Sequence, residues 1–124
     1  MGLIKKGASI CKRGKIPCKT YRQAKGSSGH SHHVVQNAAV RNVPGYDRND
    51  APAITLGCAC HKKTYKVQRQ RRNPVGYPEE RRVASESLRA AGVGAKRTDD
   101  FLTRCVDPYF STLATKPGWR QPGK

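Results

Sequence analysis

The sequence predicts an α+β fold from three observations in its middle part. Residues 33–35 and 53–56 are short runs rich in β-branched side chains, which are typical of strands. Between them, residues 36–50 form a polar stretch, and a loop of that length in a small domain is usually functional or disordered. Residues 60–72 contain good helix formers and no helix breaker. The predicted order is therefore strand, loop, strand and helix.

Two further helices are predicted in the C-terminal half. The first follows Pro78, because proline is tolerated in the first helical turn, and it ends at Gly92 or Gly94. The second begins at Thr98, a residue type suited to the N-cap, and the two aspartates that follow it are favoured by the helix dipole. The predicted architecture is thus a small α+β core with additional C-terminal helices.

The last predicted helix carries an apolar stripe with helical spacing. Such a stripe indicates packing against the rest of the domain. Pro108 is expected to kink or divide this helix because proline has no backbone N–H. The apolar positions are Phe101, Leu102, Cys105, Val106, Tyr109, Phe110 and Leu113. The tail from Lys116 is rich in proline and glycine, and we expect it to be loose.

The first 29 residues are basic and interrupted by glycine. Residues 8–11 and 16–21 could be two strands of a hairpin that approaches phosphates. An arm left where the domain was cut from a longer polypeptide is an equally good interpretation. The predicted organisation is a basic arm or hairpin over 1–29, a main domain over 30–115 and a loose tail over 116–124.

Composition and charge limit the functions that this chain can have. Only 35% of its 124 residues are hydrophobic and 6% are aromatic, so one small domain with a thin core is expected, and a metal, a crosslink or a partner would help to stabilise it. Lys and Arg number 25 against 8 Asp and Glu, which gives a net charge of +17. A polyanionic partner explains such self-repulsion, and nucleic acid is the first candidate. No apolar run is long enough to span a membrane and no signal-peptide segment follows Met1, so a membrane partner is not expected.

The five cysteines leave three possibilities open. Because their number is odd, a disulfide framework cannot include them all. Cys11, Cys18, Cys58 and Cys60 could bind a structural zinc ion, although their spacings differ from the usual Cys-x2-Cys knuckle. The second possibility is a disulfide between two of the five cysteines, and the third is that the thiols are free.

The four histidines all lie between residues 30 and 61, and two of them are adjacent. A histidine pair can divide two tasks, because neutral imidazole is a good metal ligand and its pKa lies near neutrality. Successive side chains of an extended chain point to opposite sides. His32 and His33 are therefore expected to act differently around one reacting group rather than to chelate one ion together.

The sequence around this pair resembles a known family. Ser31-His32-His33, the Val35-Gln36-Asn37 that follows and the run over 43–54 are similar to the polymorphic-toxin branch of the HNH/endonuclease VII nucleases, which carries an SHH signature. The resemblance is densest over 29–61 and extends to about Leu113. It implies a ββα-metal core (HNH, or His-Me finger), and the order of the predicted elements agrees with that core.

The resemblance also implies a role for each motif residue. His33 would be the general base that activates water, and His32 and His61 would be the metal ligands. Asn49 would brace the loop and orient the base, although asparagine is also a common turn residue. His30 matches no role in the family and is interpreted as a loop residue or an accessory substrate contact. Asn37 is interpreted as an assisting residue or a turn residue.

The metal expected from the resemblance is a divalent ion. Some HNH nucleases place another ligand one turn after the helical histidine, but here that position is Tyr65, a poor ligand. Mg²⁺ is expected first, while Zn²⁺, Mn²⁺ and Ni²⁺ accept imidazole more readily. Cys58 and Cys60 lie just before His61 and could add thiolates, which would convert an open catalytic site into a closed structural one.

Basic residues near the motif are expected to bind the substrate backbone. Contacts to phosphate position a protein without reading sequence, so little sequence specificity is expected. The predicted phosphate-binding residues are Arg48, Lys62, Lys63, Lys66 and Arg69.

Together these features predict a metal-dependent, largely nonspecific DNase that acts as an antibacterial toxin domain. The resemblance implies secretion by a bacterium as part of a larger effector, action in the cytoplasm of the target cell, and a cognate immunity protein, which is expected to be acidic at the interface. Two rival functions stay open. One is an RNase with the same centre, and the second is a non-catalytic, zinc-stabilised nucleic-acid-binding module that would not need His33.

Overall fold

A three-stranded antiparallel sheet organises the fold. The computed structural model describes residues 16–25, 30–56, 64–68 and 76–120. Within these ranges the strands are β1 (Lys19–Thr20), β2 (His30–His33) and β3 (Pro52–Leu56), in the order β1-β3-β2. The helices are α1 (Tyr21–Ala24), α2 (Asn37–Val40), α3 (Thr64–Gln68), α4 (Tyr77–Ala90), α5 (Ala95–Phe101) and α6 (Asp107–Phe110), with a π-helical segment over Leu102–Val106 between the last two. The predicted α+β class with C-terminal helices agrees with this architecture.

The β2–β3 hairpin places the histidine pair, but its first strand begins earlier than predicted. His32 pairs with Ile54 and His33 with Ala53, and the strand ends at His33 instead of continuing to residue 35. Val34 and Val35 are both buried. Consecutive residues of a regular strand point to opposite faces, so the chain must bend after His33 to bring both valines into the core.

The segment 16–25 contributes β1 to the same sheet, so this part of the predicted arm (1–29) pairs with a strand of the main domain. The expected strand over 16–21 is reduced to β1, because a capping box starts α1 at Tyr21. The Thr20 hydroxyl accepts from the Gln23 backbone N–H at 3.2 Å, and the Gln23 side chain accepts from the Thr20 N–H at 2.9 Å. The predicted strand over 8–11 lies outside the described residues.

The long connection between β2 and β3 is ordered. It contains α2, and buried apolar residues attach it to the core, among them Val40 and Val43. The Tyr46 hydroxyl donates to the side-chain oxygen of Asn37 at 2.8 Å, so Asn37 braces this connection. The polar composition of the stretch therefore reflects a structured surface loop rather than disorder.

Helix α4 agrees with its prediction, whereas α5 corrects one. Pro78 lies in the first turn of α4, and Gly92, with a φ of 102°, follows its end. Helix α5 begins at Ala95 instead of Thr98, whose side chain is buried inside the helix and donates to the Val93 carbonyl at 3.5 Å. Thr98 is therefore not the N-cap, because its buried hydroxyl donates to a carbonyl instead of accepting from a backbone N–H of the first turn.

The helix that was expected to divide at Pro108 changes its hydrogen-bond register just before that residue. The backbone N–H of Asp107 donates to Leu102, five residues back, which closes the π-helical segment. Proline has no N–H to continue the α-helical pattern. The predicted apolar stripe is buried or partly buried in the main core cluster, so its packing role is confirmed.

The tail is not loose as far as residue 120, which corrects the prediction for residues 116–120. Trp119 is buried in the core cluster, and its indole N–H donates to the Leu113 carbonyl at 3.2 Å. The Arg120 N–H donates to Ala39 at 2.9 Å. Gly118 has a φ of 101°, and a Cβ there would collide with the Asn42 carbonyl. The close approach of the backbone thus requires glycine at position 118.

A disulfide joins Cys18 to Cys105 and so ties the N-terminal segment to the π-helical segment. The Cα atoms are 5.3 Å apart, a normal separation for such a bond. Arg104 reinforces the connection by donating to the Ile16 carbonyl at 2.7 Å. Cys18 in this disulfide cannot be a zinc thiolate, which corrects that part of the four-cysteine hypothesis. Cys11, Cys58 and Cys60 lie outside the described residues.

Replacing Cys18 and Cys105 together by serine should destabilise the protein. The bond closes a loop with a sequence separation of 87 residues, and loss of such a crosslink costs about 2–4 kcal/mol of unfolding free energy. Urea unfolding of the variant and of the oxidised native protein measures the difference. Reducing the native protein should reproduce the loss, and equal stability of all three forms would contradict the assigned role.

Trp119→Ala should lower the unfolding free energy by about 3–5 kcal/mol, because truncating a buried aromatic side chain removes apolar contacts and leaves a cavity. Thermal or urea unfolding provides the measurement. The matched control is Thr115→Ala, at an exposed position of the same C-terminal segment, with an expected change within about 0.5 kcal/mol. Similar values for the two variants would mean that the tail is not docked in solution.

Candidate active site

His33 is fixed by two contacts at the end of β2. Its Nε2 lies 3.0 Å from the carbonyl oxygen of Arg48, in the loop that precedes β3. Its ring also stacks on Tyr21, with centroids 3.9 Å apart and planes at 12°. The hydrogen bond constrains one edge of the imidazole and the stack covers one face, so the ring is held from two directions.

These contacts define the form of His33 that suits a general base. A carbonyl oxygen only accepts, so in the neutral ring Nε2 carries the proton and Nδ1 keeps the lone pair. Burial lowers the pKa of His33, because desolvation penalises the imidazolium; the positive charge of Arg48 acts in the same direction, while the hydrogen bond to the Arg48 carbonyl opposes it. His33 is therefore an imidazole poised to accept a proton at Nδ1.

His32 has different neighbours, as the alternation of side chains along a strand predicts. Its ring is buried, and its Nε2 lies 3.3 Å from the side-chain nitrogen of Gln68 in α3. Gln68 is held in turn by Gln36, whose side-chain amide donates to the Gln68 carbonyl at 3.0 Å. Because the amide nitrogen donates, Nε2 of His32 is unprotonated and its lone pair is directed at α3.

The loop that contacts His33 is fixed mainly through its backbone. The Asn49 N–H donates to the Asp47 carboxylate at 2.8 Å, and the Asn49 carbonyl accepts from the Arg22 N–H at 2.9 Å. Tyr109 binds the same loop twice, since its hydroxyl accepts from the Asp47 N–H at 3.1 Å and lies 3.2 Å from the Asp47 carbonyl. Among the described residues, the contact between this loop and His33 is made by the carbonyl of Arg48, the neighbour of Asn49, and not by the Asn49 side chain.

The side-chain oxygen of Asn49 is buried, and no described residue donates a hydrogen bond to it. A buried acceptor without a donor is unusual in a folded protein. This oxygen is available to a water molecule or to a group that binds beside the loop, whereas the turn interpretation of Asn49 requires only its backbone.

Two positive charges lie beside the Tyr21 ring. Arg48 Cζ lies 5.2 Å and Lys25 Nζ 5.9 Å from the ring centroid, and both side chains extend from exposed residues. Arg22, the next residue along the chain, is also exposed but pairs with Asp50 at 3.0 Å. Within the described part of the chain, no ion pair involves Arg48 or Lys25, so their charges are free to attract an anion.

The structure thus describes part of the predicted site. It places His32, His33, Asn49 and Arg48 at one end of the β2–β3 hairpin and its loop. His61, Lys62, Lys63 and Arg69 lie outside the described residues, as do the side chains of Lys66, Tyr65 and His30. The roles predicted for these residues stay predictions.

Sequence reasoning missed Tyr21, Gln68 and the polar role of Tyr109. A signal for Gln68 was present, because positions 64 and 68 are one helical turn apart and share the face expected for position 61. Tyr21 carries no motif signal; only the capping box of Thr20 and Gln23 marks where its helix begins. The stack on His33 depends on strand register, which composition does not reveal.

Imidazole donors fit a divalent metal at His32, although the described residues alone do not complete a site. Its unprotonated Nε2 is the atom that Zn²⁺, Mn²⁺ or Ni²⁺ would bind. Among the residues that the structure describes, no group of three or more His, Cys, Asp or Glu side chains could hold an ion.

Comparison with known families identifies the family of this chain. A family model described as HNH/Endo VII superfamily toxin with a SHH signature matches residues 27–111, more than half of the chain. The chain belongs to this family. The match confirms the resemblance carried by Ser31-His32-His33 and extends from before β2 to the end of α6. Neither curated proteins nor solved structures gave a significant match to the chain.

Membership in the SHH toxin family has general consequences. It implies a nuclease toxin that hydrolyses nucleic acid, generally with a divalent metal ion, and that is usually paired with an immunity protein. Delivery into target cells is consistent with this type of toxin. In the described ranges, no helix has the length and apolar character needed to cross a membrane.

In the metal-free SHH toxin, His33 should titrate below 6.5, the ordinary histidine pKa, because burial disfavours its charged form. The ring should therefore be mostly neutral at pH 6.5. NMR titration of the ring protons provides the measurement, and the His33→Ala variant identifies the signal among the four histidines. A pKa above 6.5 would mean that the ring is exposed or paired with an acid in solution.

Proposed function

We propose that this SHH toxin is a metal-dependent endonuclease in which His33 is the general base and β2, β3 and α3 form a ββα-metal core. The observation that carries the proposal is the hydrogen bond from His33 Nε2 to the Arg48 carbonyl. This bond assigns the proton to Nε2 and leaves Nδ1 with the lone pair of a base. A general base needs that combination of geometry and protonation state.

His33 would take a proton from the attacking water at Nδ1 as the new bond to phosphorus forms. The Arg48 carbonyl would stabilise the positive imidazolium that results, since a carbonyl dipole favours the charged ring. The ring need not rotate during this step, because Nε2 stays bonded to the loop. General base catalysis of this kind contributes a factor of about 10²–10⁴ in rate.

His32 and His61 are the proposed protein ligands of the metal. The lone pair on Nε2 of His32 supports its proposed role as a metal ligand. When the metal binds, the side chain of Gln68 would have to move away from that nitrogen. When bound, a divalent ion supplies Lewis-acid stabilisation of charge on the scissile phosphate and the leaving oxygen. Mg²⁺ remains the first candidate on the basis of the family, and the imidazole donors also suit Zn²⁺, Mn²⁺ and Ni²⁺.

Substrate binding is proposed to rest on charge rather than on base contacts. The unpaired guanidinium of Arg48 lies beside the base, and the net charge of +17 attracts any nucleic acid. Lys62, Lys63, Lys66 and Arg69 would extend the phosphate contacts along the motif helix. Contacts of this type support a largely nonspecific nuclease, with DNA as the preferred substrate.

The biological setting proposed for this activity is competition between bacteria. The domain would be secreted as part of a larger effector and would act in the cytoplasm of the target cell. A cognate immunity protein would cover this face, and the excess of basic residues favours a partner that is acidic at the interface.

Cleavage of supercoiled plasmid by the purified protein tests the proposal. With Mg²⁺, Mn²⁺, Zn²⁺ or Ni²⁺ we expect nicking that a chelator abolishes. His33→Ala should reduce the rate by about 10²–10⁴-fold, because it removes the base. Thr115→Ala is the control, since it changes an exposed residue outside the β2–β3 hairpin and should retain activity. Circular dichroism and melting temperature establish that both variants are folded.

Parallel reactions with RNA separate the remaining possibilities. Cleavage of RNA alone would keep the nuclease and correct its substrate. Tight, salt-sensitive binding without cleavage of DNA or RNA under any metal would overturn the proposal and favour a non-catalytic binding module. Equal activity of His33→Ala and the native protein would assign the base elsewhere.

A further inference from the structure

We propose that Tyr21 is a positioning residue of the active site, which holds the His33 imidazole by stacking on its face. This inference rests on the proposed nuclease function with His33 as base. Tyr21 lies before residue 27, where the match to the SHH family begins, so the family assigns it no role. The functional unit would therefore include the segment 16–25.

The stack is close and nearly parallel. The ring centroids are 3.9 Å apart and the planes differ by 12°. Aromatic pairs whose centroids are about 4.5–7 Å apart already stabilise proteins by more than the area that they bury. Among the described residues, the Tyr21 hydroxyl makes no hydrogen bond, so the interaction with His33 is made by the ring alone.

The stack supplies a constraint that the hydrogen bond cannot. A single hydrogen bond at Nε2 still allows the imidazole to rotate about the axis that runs from its attachment to the side chain through Nε2. This rotation moves Nδ1 away from the proton that it must accept. A parallel ring against one face blocks this rotation. Small errors in the placement of reacting groups reduce rates strongly, so a fixed ring plane matters for a general base.

The fold anchors Tyr21 independently of His33. Lys19 of β1 and His33 of β2 both pair with Ala53 of β3, so the two outer strands bring their ends together across the central strand. The Tyr21 N–H then donates to the Ala51 carbonyl at 2.8 Å. Three residues before Tyr21, the Cys18–Cys105 disulfide ties the segment to the C-terminal helices.

Two positively charged side chains near the Tyr21 ring also support its role at the site. Lys25 and Arg48 lie within 5.9 Å of the ring centroid, where the negative face of an aromatic ring attracts cations. The Tyr21 ring therefore contacts the base and also lies near two cations that could bind a substrate phosphate. Contacts of His33 and of both cations with the same ring would keep the base at a constant distance from the residues that bind phosphate.

The test compares Tyr21→Leu with Tyr21→Phe in single-turnover cleavage at saturating DNA, with DNA affinity measured separately. Leucine keeps an apolar side chain but removes the aromatic face, and we expect the rate to fall about three- to tenfold at unchanged affinity. Phenylalanine keeps the face and should restore the native rate. Ser87→Ala, which removes a buried hydroxyl that donates to Val83, is the control for mild destabilisation and should leave the rate unchanged.

NMR of the native protein gives a second readout that does not depend on cleavage. The stacked Tyr21 ring should shift the His33 ring protons upfield, and the shift should persist in Tyr21→Phe and vanish in Tyr21→Leu. If Tyr21→Leu does not fold, the native shift and the phenylalanine variant still decide the question.

Three results would overturn the inference. They are a native rate for folded Tyr21→Leu, an equal loss in the leucine and phenylalanine variants, and a loss confined to DNA affinity. If the native protein cleaves nothing, the proposed function fails first. The ring shift then separately establishes whether Tyr21 holds His33.

Discussion

The central strand β3 is the constraint on which the rest of the site depends. It is bonded to β1 on one edge and to β2 on the other, and the same Ala53 faces Lys19 and His33. This shared register brings three separate pieces of chain to one place. They are the N-terminal segment that carries Tyr21, the strand that carries the histidine pair, and the loop that presents the Arg48 carbonyl.

Strand geometry gives the two histidines of the pair different surroundings. Because successive side chains leave opposite faces, His32 enters the interior beside α3 while His33 meets the loop and Tyr21. The two rings also present different nitrogens, since Nε2 of His32 keeps its lone pair and Nε2 of His33 carries the proton. The fold thus gives two identical side chains different surroundings, as the proposed roles of His32 in metal binding and of His33 in proton transfer require.

Stability for a thin core comes partly from outside the apolar cluster. The composition indicated that a crosslink, a metal or a partner would help, and the Cys18–Cys105 disulfide is one such addition. The docked tail is another, because Trp119 adds a large aromatic side chain to the cluster. The disulfide attaches the segment 16–25, which contains Tyr21, to the C-terminal helices, and Trp119 attaches the tail to the same helices.

The sequence by itself determined the family, the fold class, the position of β3 and α4, and the apolar stripe of the last helices. Each of these is a local pattern, either a motif with fixed spacing or a periodicity. Local patterns also misled at three places. Thr98 has the chemistry of an N-cap but is buried inside α5, Val34 and Val35 resemble a strand but lie beyond its end, and Gly118 resembles a loose tail but allows close packing.

Only the tertiary structure decided which residues touch His33 and that Cys18 pairs with Cys105. The stack with Tyr21, the contact with the Arg48 carbonyl and the bond between Cys18 and Cys105 all join positions far apart in the sequence. Such contacts follow from strand register and helix packing, which are set by the burial of the whole apolar cluster. No single window of sequence contains that information. The motif therefore predicted the two histidines, whereas the residues that contact them could be found only from the tertiary structure.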